Sequence, residues 1–298
     1  MHTVLITGAN GFIGNYLTRL LADSYKVVAT AKGDCRCSFN KASIVYEEMD
    51  ITDPASVHTV FNKYHPHYVV HCAAISKPDE CEQNKEDAYL VNVTATQYLL
   101  NCAAEYRSHF IFLSTDFIFD GIKGMYQEDE PAAPVNYYGQ TKLLAEALVK
   151  NYAFKWNIVR TVLAYGAPMP GRDNIISIVV KSLKEGKTVK IFDDQVRTPT
   201  YVEDLTSGIK QIIDRGGEGI YHLSGKEVYT PYQMAIAAAN YVGLDAELIQ
   251  KATETTFSQP AKRPLKTGLN IKKAERELGY KTTSFEEGLR KTFVNWHS

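Results

Sequence analysis

Tyr138-Gly-Gln-Thr-Lys142 sets a phenol and an ammonium four residues apart, a spacing that puts both on one face of a helix and within reach of one substrate. A free phenol ionises near pH ~10 and exchanges protons poorly at neutrality, but a neighbouring cation stabilises the phenolate and draws it toward the working range. The pair therefore reads as proton-transfer chemistry, its plain alternative being an exposed helical pair. Tyr137 is one residue out of register with Lys142. A hydroxyl able to hydrogen-bond a reacting carbonyl is expected where the apolar run Phe110-Ile-Phe-Leu gives way to Ser114-Thr115; Thr115 is assigned that role, with Ser114 its neighbour.

A second chemical signal sits near the start of the chain. In Val4-Leu-Ile-Thr-Gly-Ala-Asn-Gly-Phe-Ile-Gly14, the residues Gly8, Asn10, Gly11, Phe12, Ile13 and Gly14 fall between a strand and a helix. Glycine lets the chain turn sharply and approach a pyrophosphate, whose charge rests on helix N-terminal amides. A nicotinamide dinucleotide is thus the expected cofactor. The second strand runs out in Val28-Ala-Thr-Ala-Lys-Gly33 with no carboxylate for a ribose 2′-hydroxyl. Lys32, with Arg36 nearby, is placed to meet a 2′-phosphate instead, so NADPH is favoured and NADH stays open. Cys72, Ala73 and Ala74 lie where another strand ends and are small enough for a cofactor to come close. Asp53, before Pro54, reads as a helix N-cap.

These groups need a scaffold. Apolar runs at His2–Thr7, Lys26–Thr30, Tyr68–Cys72, Phe110–Ser114 and Ile158–Leu163 alternate with helical stretches at Pro54–Tyr64, Lys85–Tyr106 and Tyr138–Tyr152. That rhythm predicts an α/β fold: a doubly wound parallel sheet of the NAD(P)-binding Rossmann type, with helices over both faces. Beyond Gly166–Gly171 the pattern loosens into a helix at Asn174–Lys184 and a strand at Thr188–Phe192. Val202–Asp214 and Gly219–Ser224 resemble a return to the main sheet. The expected organisation is a dinucleotide-binding domain over 1–166, rejoined by 194–225, and a smaller C-terminal α/β substrate lobe from 167–193 and 226–298. The tail carries short helices at Lys272–Leu278 and Phe285–Trp296.

Composition narrows the function. Hydrophobic residues at 45% and charged residues at 22% fit a folded globular chain. Lys plus Arg at 33 against Asp plus Glu at 34 offers no general attraction to nucleic acid. The N-terminus lacks the positive and apolar regions of a signal peptide and no segment reads as a membrane span, so a cytoplasmic location is expected. Cys35, Cys37, Cys72, Cys81 and Cys102 lack the paired spacing of a metal cage. No metal site is assigned; the acidic run Glu128-Asp129-Glu130 reads as a solvated loop.

Several motifs together carry a closer likeness: Ser114-Thr-Asp-Phe-Ile-Phe-Asp-Gly121, Tyr126-Gln-Glu-Asp-Glu-Pro131, Pro134-Val-Asn-Tyr-Tyr-Gly-Gln-Thr-Lys142, Arg160-Thr161, Thr198-Pro-Thr-Tyr-Val-Glu-Asp-Leu205 and Arg263-Pro-Leu-Lys-Thr-Gly-Leu269. The chain resembles the dTDP-4-dehydrorhamnose reductase family of the extended short-chain dehydrogenase/reductase superfamily. The resemblance implies hydride transfer from nicotinamide to C4 of a 4-keto-6-deoxy sugar on a thymidine diphosphate. Tyr138 would protonate the alkoxide, Thr115 polarise the ketone, and Lys142 tune the phenol and bind the nicotinamide ribose. It also implies Asp50 and Ile51 beside the adenine, Asn92 anchoring a water near Lys142, and a substrate side formed by Ser76, Asp116, Phe117 and Leu163. Arg197 and the pair Lys262-Arg263 are assigned to the sugar-nucleotide diphosphate. The chain departs from the family where Leu163 replaces a tryptophan and Arg197 a small or aromatic residue. Phe117 after Asp116 removes the acidic pair a 4,6-dehydratase needs. A 4-epimerase remains an alternative, as does a non-catalytic subunit like the β subunit of methionine adenosyltransferase. The expected partner is a nucleotide sugar, with a homodimer left open.

Overall fold

Strand β1 (Thr3–Thr7) is buried along its whole length, with Val4 and Ile6 on one face of the sheet and Leu5 on the other. The computed structural model describes residues 1–36, 39–169, 172–256 and 258–294, so the readings at Cys37, Gly171 and Trp296 lie outside the described residues. After β1 come α1 (Phe12–Leu21), β2 (Lys26–Ala31), β3 (Ile44–Glu48), α2 (Pro54–Tyr64), β4 (Tyr68–His71), α3 (Pro78–Gln83) and α4 (Lys85–Tyr89). A π-helical turn, Leu90–Thr94, leads into α5 (Ala95–Glu105), followed by β5 (His109–Thr115), α6 (Tyr137–Lys150) and β6 (Trp156–Thr161). The later elements are β7 (Ala164–Tyr165), α7 (Ile175–Lys184), β8 (Val189–Phe192), β9 (Thr200–Tyr201), α8 (Val202–Arg215), β10 (Gly219–His222), α9 (Pro231–Val242), β11 (Ile249–Ala252), α10 (Lys272–Leu278) and α11 (Phe285–Thr292).

Seven strands form one parallel sheet in the order β10-β6-β5-β4-β1-β2-β3. The chain steps outward from β1 to β2 and β3, then returns to β1's other side with β4. Thr7 consequently pairs in register with Thr30 on one flank and His71 on the other. The crevice beyond the strand ends at this reversal is where ligands bind in such sheets.

Helices cover both faces. Leu17 and Leu21 of α1, Leu205 and Ile209 of α8, and Leu278 of α10 pack on Val4, Ile6 and Val27. Phe61 of α2, Leu99 and Ala103 of α5, and Ala145 and Val149 of α6 pack on Leu5, Phe110 and Phe112. Each large aliphatic or aromatic side chain buried this way contributes about 1.5–3 kcal/mol. Asp53 caps α2, its carboxylate accepting from Ala55 N at 3.0 Å. Asn136 caps α6 in the same manner, accepting from Gly139 N at 2.9 Å, so the helix starts one residue before Tyr138. A second body of core gathers where α7 and α9 meet β8 and β11, which pair in parallel with each other.

Candidate active site

The turn from β1 to α1 fits closely against the end of β4. Gly8 takes a positive φ of 72°, and a Cβ there would lie 2.8 Å from Ala73 N. A Cβ on Gly14 would stand 2.3 Å from Gly8 O, a separation no side chain tolerates. Gly11 caps α1 without a side-chain acceptor, and the first turn carries no acidic residue, which leaves amides and positive helix potential for an anion. Asn10 hangs the loop after β2 on this turn: its amide donates to Asp34 O at 2.9 Å and Tyr46 Oη at 3.2 Å, and its carbonyl accepts from Arg36 N at 2.9 Å.

This turn floors one end of a cleft of about 840 Å³, the size of a small-molecule site. Gly8, Asn10 and Gly11–Gly14 line that end together with Cys72–Ala74, which pack against the turn, and Lys32, Asp50, Ile51, Tyr138 and Lys142 line the same cleft. Lys32 Nζ reaches Asp50 at 2.7 Å while keeping its side chain exposed. Thr115, Ser76, Asp116, Phe117 and Leu163 line the same cleft. Arg36 and Arg172 add cations to the wall, and Arg172 Nε donates to Asn10 O at 3.3 Å across 162 residues of sequence. Nothing local in the sequence marks Arg172, because it reaches the glycine turn only through the fold.

The α6 helix presents Tyr138 and Lys142 to the cleft together, as their spacing requires. Thr115, last residue of β5, sets its hydroxyl beside the Tyr138 phenol and draws its ionisation downward. Its hydroxyl also donates to Asp116 Oδ1 at 3.0 Å and accepts from Phe117 N at 3.2 Å. Burial raises the Tyr138 phenol well above its ordinary value; the Thr115 hydroxyl opposes this, and Asp116 and Cys81 reinforce it. Lys142 is 3% exposed, and burial draws its ammonium down to about 7, against the opposing pull of Glu146. The ammonium stands 3.9 Å from the centre of the Phe112 ring. Asp116 is buried too, and burial raises its carboxyl despite Arg197 and the Thr267 and Thr115 hydroxyls. The cleft thus brings together a phenol, an ammonium and a hydroxyl beside an anion-binding turn, the parts for protonating an oxygen as it gains charge.

The family model described as RmlD substrate binding domain matches residues 1–297. The chain belongs to this family. Among its relatives, a probable low-salt glycan biosynthesis reductase of Haloferax volcanii is 31% identical, over 95% of both chains. Methionine adenosyltransferase 2 subunit beta of Xenopus tropicalis is 30% identical, over 97% of this chain and 86% of the relative. The crystal structure of dTDP-4-dehydrorhamnose reductase from Bacillus anthracis in complex with NADP superposes with a TM-score of 0.85 at 27% identity, over 98% of this chain and 99% of that one. The fold is that of the extended short-chain dehydrogenase/reductase superfamily.

Three sequence assignments meet a different setting in this RmlD-family chain. Arg197 does not line the cleft. Its guanidinium donates to Val196 O, Leu265 O and Gln195 Oε1 at 2.9–3.1 Å and lies 5.6 Å from the centre of the Phe117 ring, so it backs the wall from inside. Arg263 is likewise set away from the cleft lining, forked onto Asp79 at 2.6 and 2.7 Å. Lys262 contributes its backbone carbonyl, which accepts from the capping Asn136 at 2.7 Å. Asn92 sits buried in the π-helical turn with its amide spent on Ile75 O and Thr141 Oγ1, both at 3.0 Å, and its carbonyl on Ile75 N at 2.9 Å. It holds the backbone before Ser76. The acidic run divides: Glu128 accepts from His222 N at 3.1 Å, and Glu130 pairs with Lys123 at 2.8 Å. No helix among the described residues is long and apolar enough to cross a membrane.

Proposed function

We propose that the protein is an NADPH-dependent oxidoreductase that reduces the 4-keto group of a nucleotide-linked deoxysugar, with dTDP-4-dehydro-L-rhamnose to dTDP-L-rhamnose as the leading candidate reaction. The observation that carries this reading is the convergence of Thr115, Tyr138 and Lys142 in the cleft floored by the glycine turn. The cradle that a Cβ at Gly8 or Gly14 would fill suits a pyrophosphate, and Lys32, Arg36 and Arg172 supply cations for the remaining phosphate charge. When bound, the reduced nicotinamide supplies the hydride for the ketone carbon.

The chain's own residues manage the oxygen. Thr115 Oγ1, whose proton rests on Asp116 Oδ1, would turn it to the ketone and orient that group. Tyr138 Oη keeps its proton at neutral pH because burial disfavours phenolate, and releases it to the oxygen as that atom becomes an alkoxide. Lys142 would hold the nicotinamide ribose through its hydroxyls, and its cation, one helical turn from Tyr138, would favour the phenolate left behind. Asp116 and Phe117 face the sugar, Leu163 takes the place of a bulkier ring, and Arg197 and Arg263 act on the substrate side by holding Phe117 and the tail loop in place.

Incubation with NADPH and dTDP-4-dehydro-L-rhamnose tests the proposal through loss of NADPH absorbance and formation of the 4-hydroxy product. Tyr138→Phe is expected to abolish turnover while leaving NADPH affinity within about twofold, since the phenolic proton is used in the reaction and not in holding the cofactor. Absence of turnover with any 4-keto nucleotide sugar, with NADPH binding intact, would overturn it.

A further inference from the structure

Behind the catalytic face of α6 lies a charged cluster that proton transfer does not touch. Glu146 follows Lys142 one helical turn along and is fully buried. Its carboxylate accepts from Ser114 Oγ of β5 at 2.7 Å and from Arg160 Nε and Nη2 of β6 at 3.0 and 2.8 Å. Arg160 donates its remaining Nη1 to Glu128 O at 3.1 Å, faces His222 Nε2 of β10 at 3.3 Å, and stands 5.3 Å from the centre of the Phe119 ring. Lys150 Nζ lies 3.8 Å from Glu146 at the exposed end. Withdrawing two such charges from water costs several kcal/mol each, and well-packed apolar residues often stabilise a core as much or more. The cluster is therefore poorly explained as a source of stability, and its reach into three elements points to arrangement.

We propose that Glu146 is a positioning residue. By holding Ser114 and Arg160 it fixes the ends of β5 and β6 against α6, so that Thr115 stands beside the Tyr138 phenol, and it sets a carboxylate one turn behind Lys142 that favours the cationic form of this side chain.

The neighbours of Lys142 single out Glu146 for the second role. Cys72 beyond β4 and Cys81 of α3 are held protonated by burial, their thiols raised to about 12 and about 11. His71 of β4 is held neutral by burial, with its imidazole lowered to about 3 and bonded to Thr7 and Thr96. Tyr138 is a neutral phenol, and Phe112 of β5 offers only a ring face. Of the groups acting on Lys142, the Glu146 carboxylate, paired with Arg160, is the leading influence opposing burial.

The role in turnover rests on the reductase reading, but the charge on Lys142 is measurable without any sugar. Competitive acetylation with acetic anhydride across a pH series, read by mass spectrometry of the peptide bearing Lys142, gives the midpoint at which the amine becomes nucleophilic. The wild-type midpoint is expected near 7. Glu146→Gln should lower it by at least about half a pH unit. Because that substitution strands the Arg160 guanidinium in the core, the double variant Glu146→Gln/Arg160→Met, which removes both charges, is measured beside it and should shift likewise. Ser114→Ala keeps the charge pair and should leave the midpoint in place while lowering kcat about tenfold or more through loss of register. An unchanged midpoint in a folded Glu146 variant overturns the charge role, and an undiminished kcat in Ser114→Ala overturns the registering role. Failure of the protein to reduce any keto sugar would sink the reductase reading and leave the labelling result standing.

Discussion

An ammonium brought by burial to about 7 is cationic in acid and neutral in base, so a step that needs the Lys142 cation fails as the pH climbs. The pH profile of kcat/KM, which reports the free enzyme, should fall on its alkaline side with a midpoint near 7; a flat profile above neutrality would contradict the role of Lys142. The same shift has a stability signature of known sign. Between about 7 and the ordinary lysine value the unfolded chain holds one more proton than the folded one, so this site's contribution to stability rises with pH across that window. Lys142→Met should remove that slope from a series of denaturation midpoints while abolishing turnover. Tyr138 and Lys142 were legible because a helix brings residues four apart to one face whatever surrounds it. Arg197 and Arg263 were not, since a guanidinium satisfied by carbonyls or by Asp79 is spelled the same as one facing a ligand. Glu146 carries no mark in the sequence for the same reason: a carboxylate on α6 is spelled as a surface charge whether or not β5 and β6 close over it.

At the scale of elements, the β1–α1 turn and the π-helical turn at Asn92 carry most of the site's precision. Gly14→Ala is expected to destabilise the protein by about 1–3 kcal/mol and to weaken NADPH binding together, because the new methyl group meets the Gly8 carbonyl and the backbone must move. Thermal denaturation and cofactor titration on one sample check both effects. Asn92→Ala should cost about 1–3 kcal/mol by leaving the Ile75 amide unpaired and its carbonyl with only the weak Cys81 thiol donor, and should loosen the segment that brings Ser76 to the cleft. Strands buried on both faces announce themselves as apolar runs, which is why β1, β4 and β5 could be read from residues alone. Strand β3, Ile-Val-Tyr-Glu-Glu, lies at the sheet edge and is half-buried, so its pattern is diluted. The helical stretch 85–106 reads as one amphipathic run, and the π-helical turn inside it leaves no mark in composition because a widened turn depends on what Asn92 must reach.

Across the whole molecule, the tail is tied to the cleft's far side by Arg263 on Asp79, next to Ala261 N on the same carboxylate. Those bonds hold the Asp79 carboxyl below the usual range, so the tie persists through neutral and mildly acidic pH and loosens only in stronger acid. Arg263→Ala should raise the KM for the nucleotide sugar several-fold with NADPH affinity unchanged, a split that separates loss of the tail's placement from damage to the dinucleotide cradle. The parallel sheet draws its outermost strand, β10, from beyond the segment that builds β8 and α7. On a ribosome, β6 is finished while its partner is still unmade, and at ordinary elongation rates roughly 3–12 s pass before β10 can dock. Throughout that interval a growing chain shows the open edge of β6, a template for pairing with neighbouring nascent chains; a product that stops after Tyr165 should accumulate as aggregate, and one that extends past His222 should be the shortest to escape it.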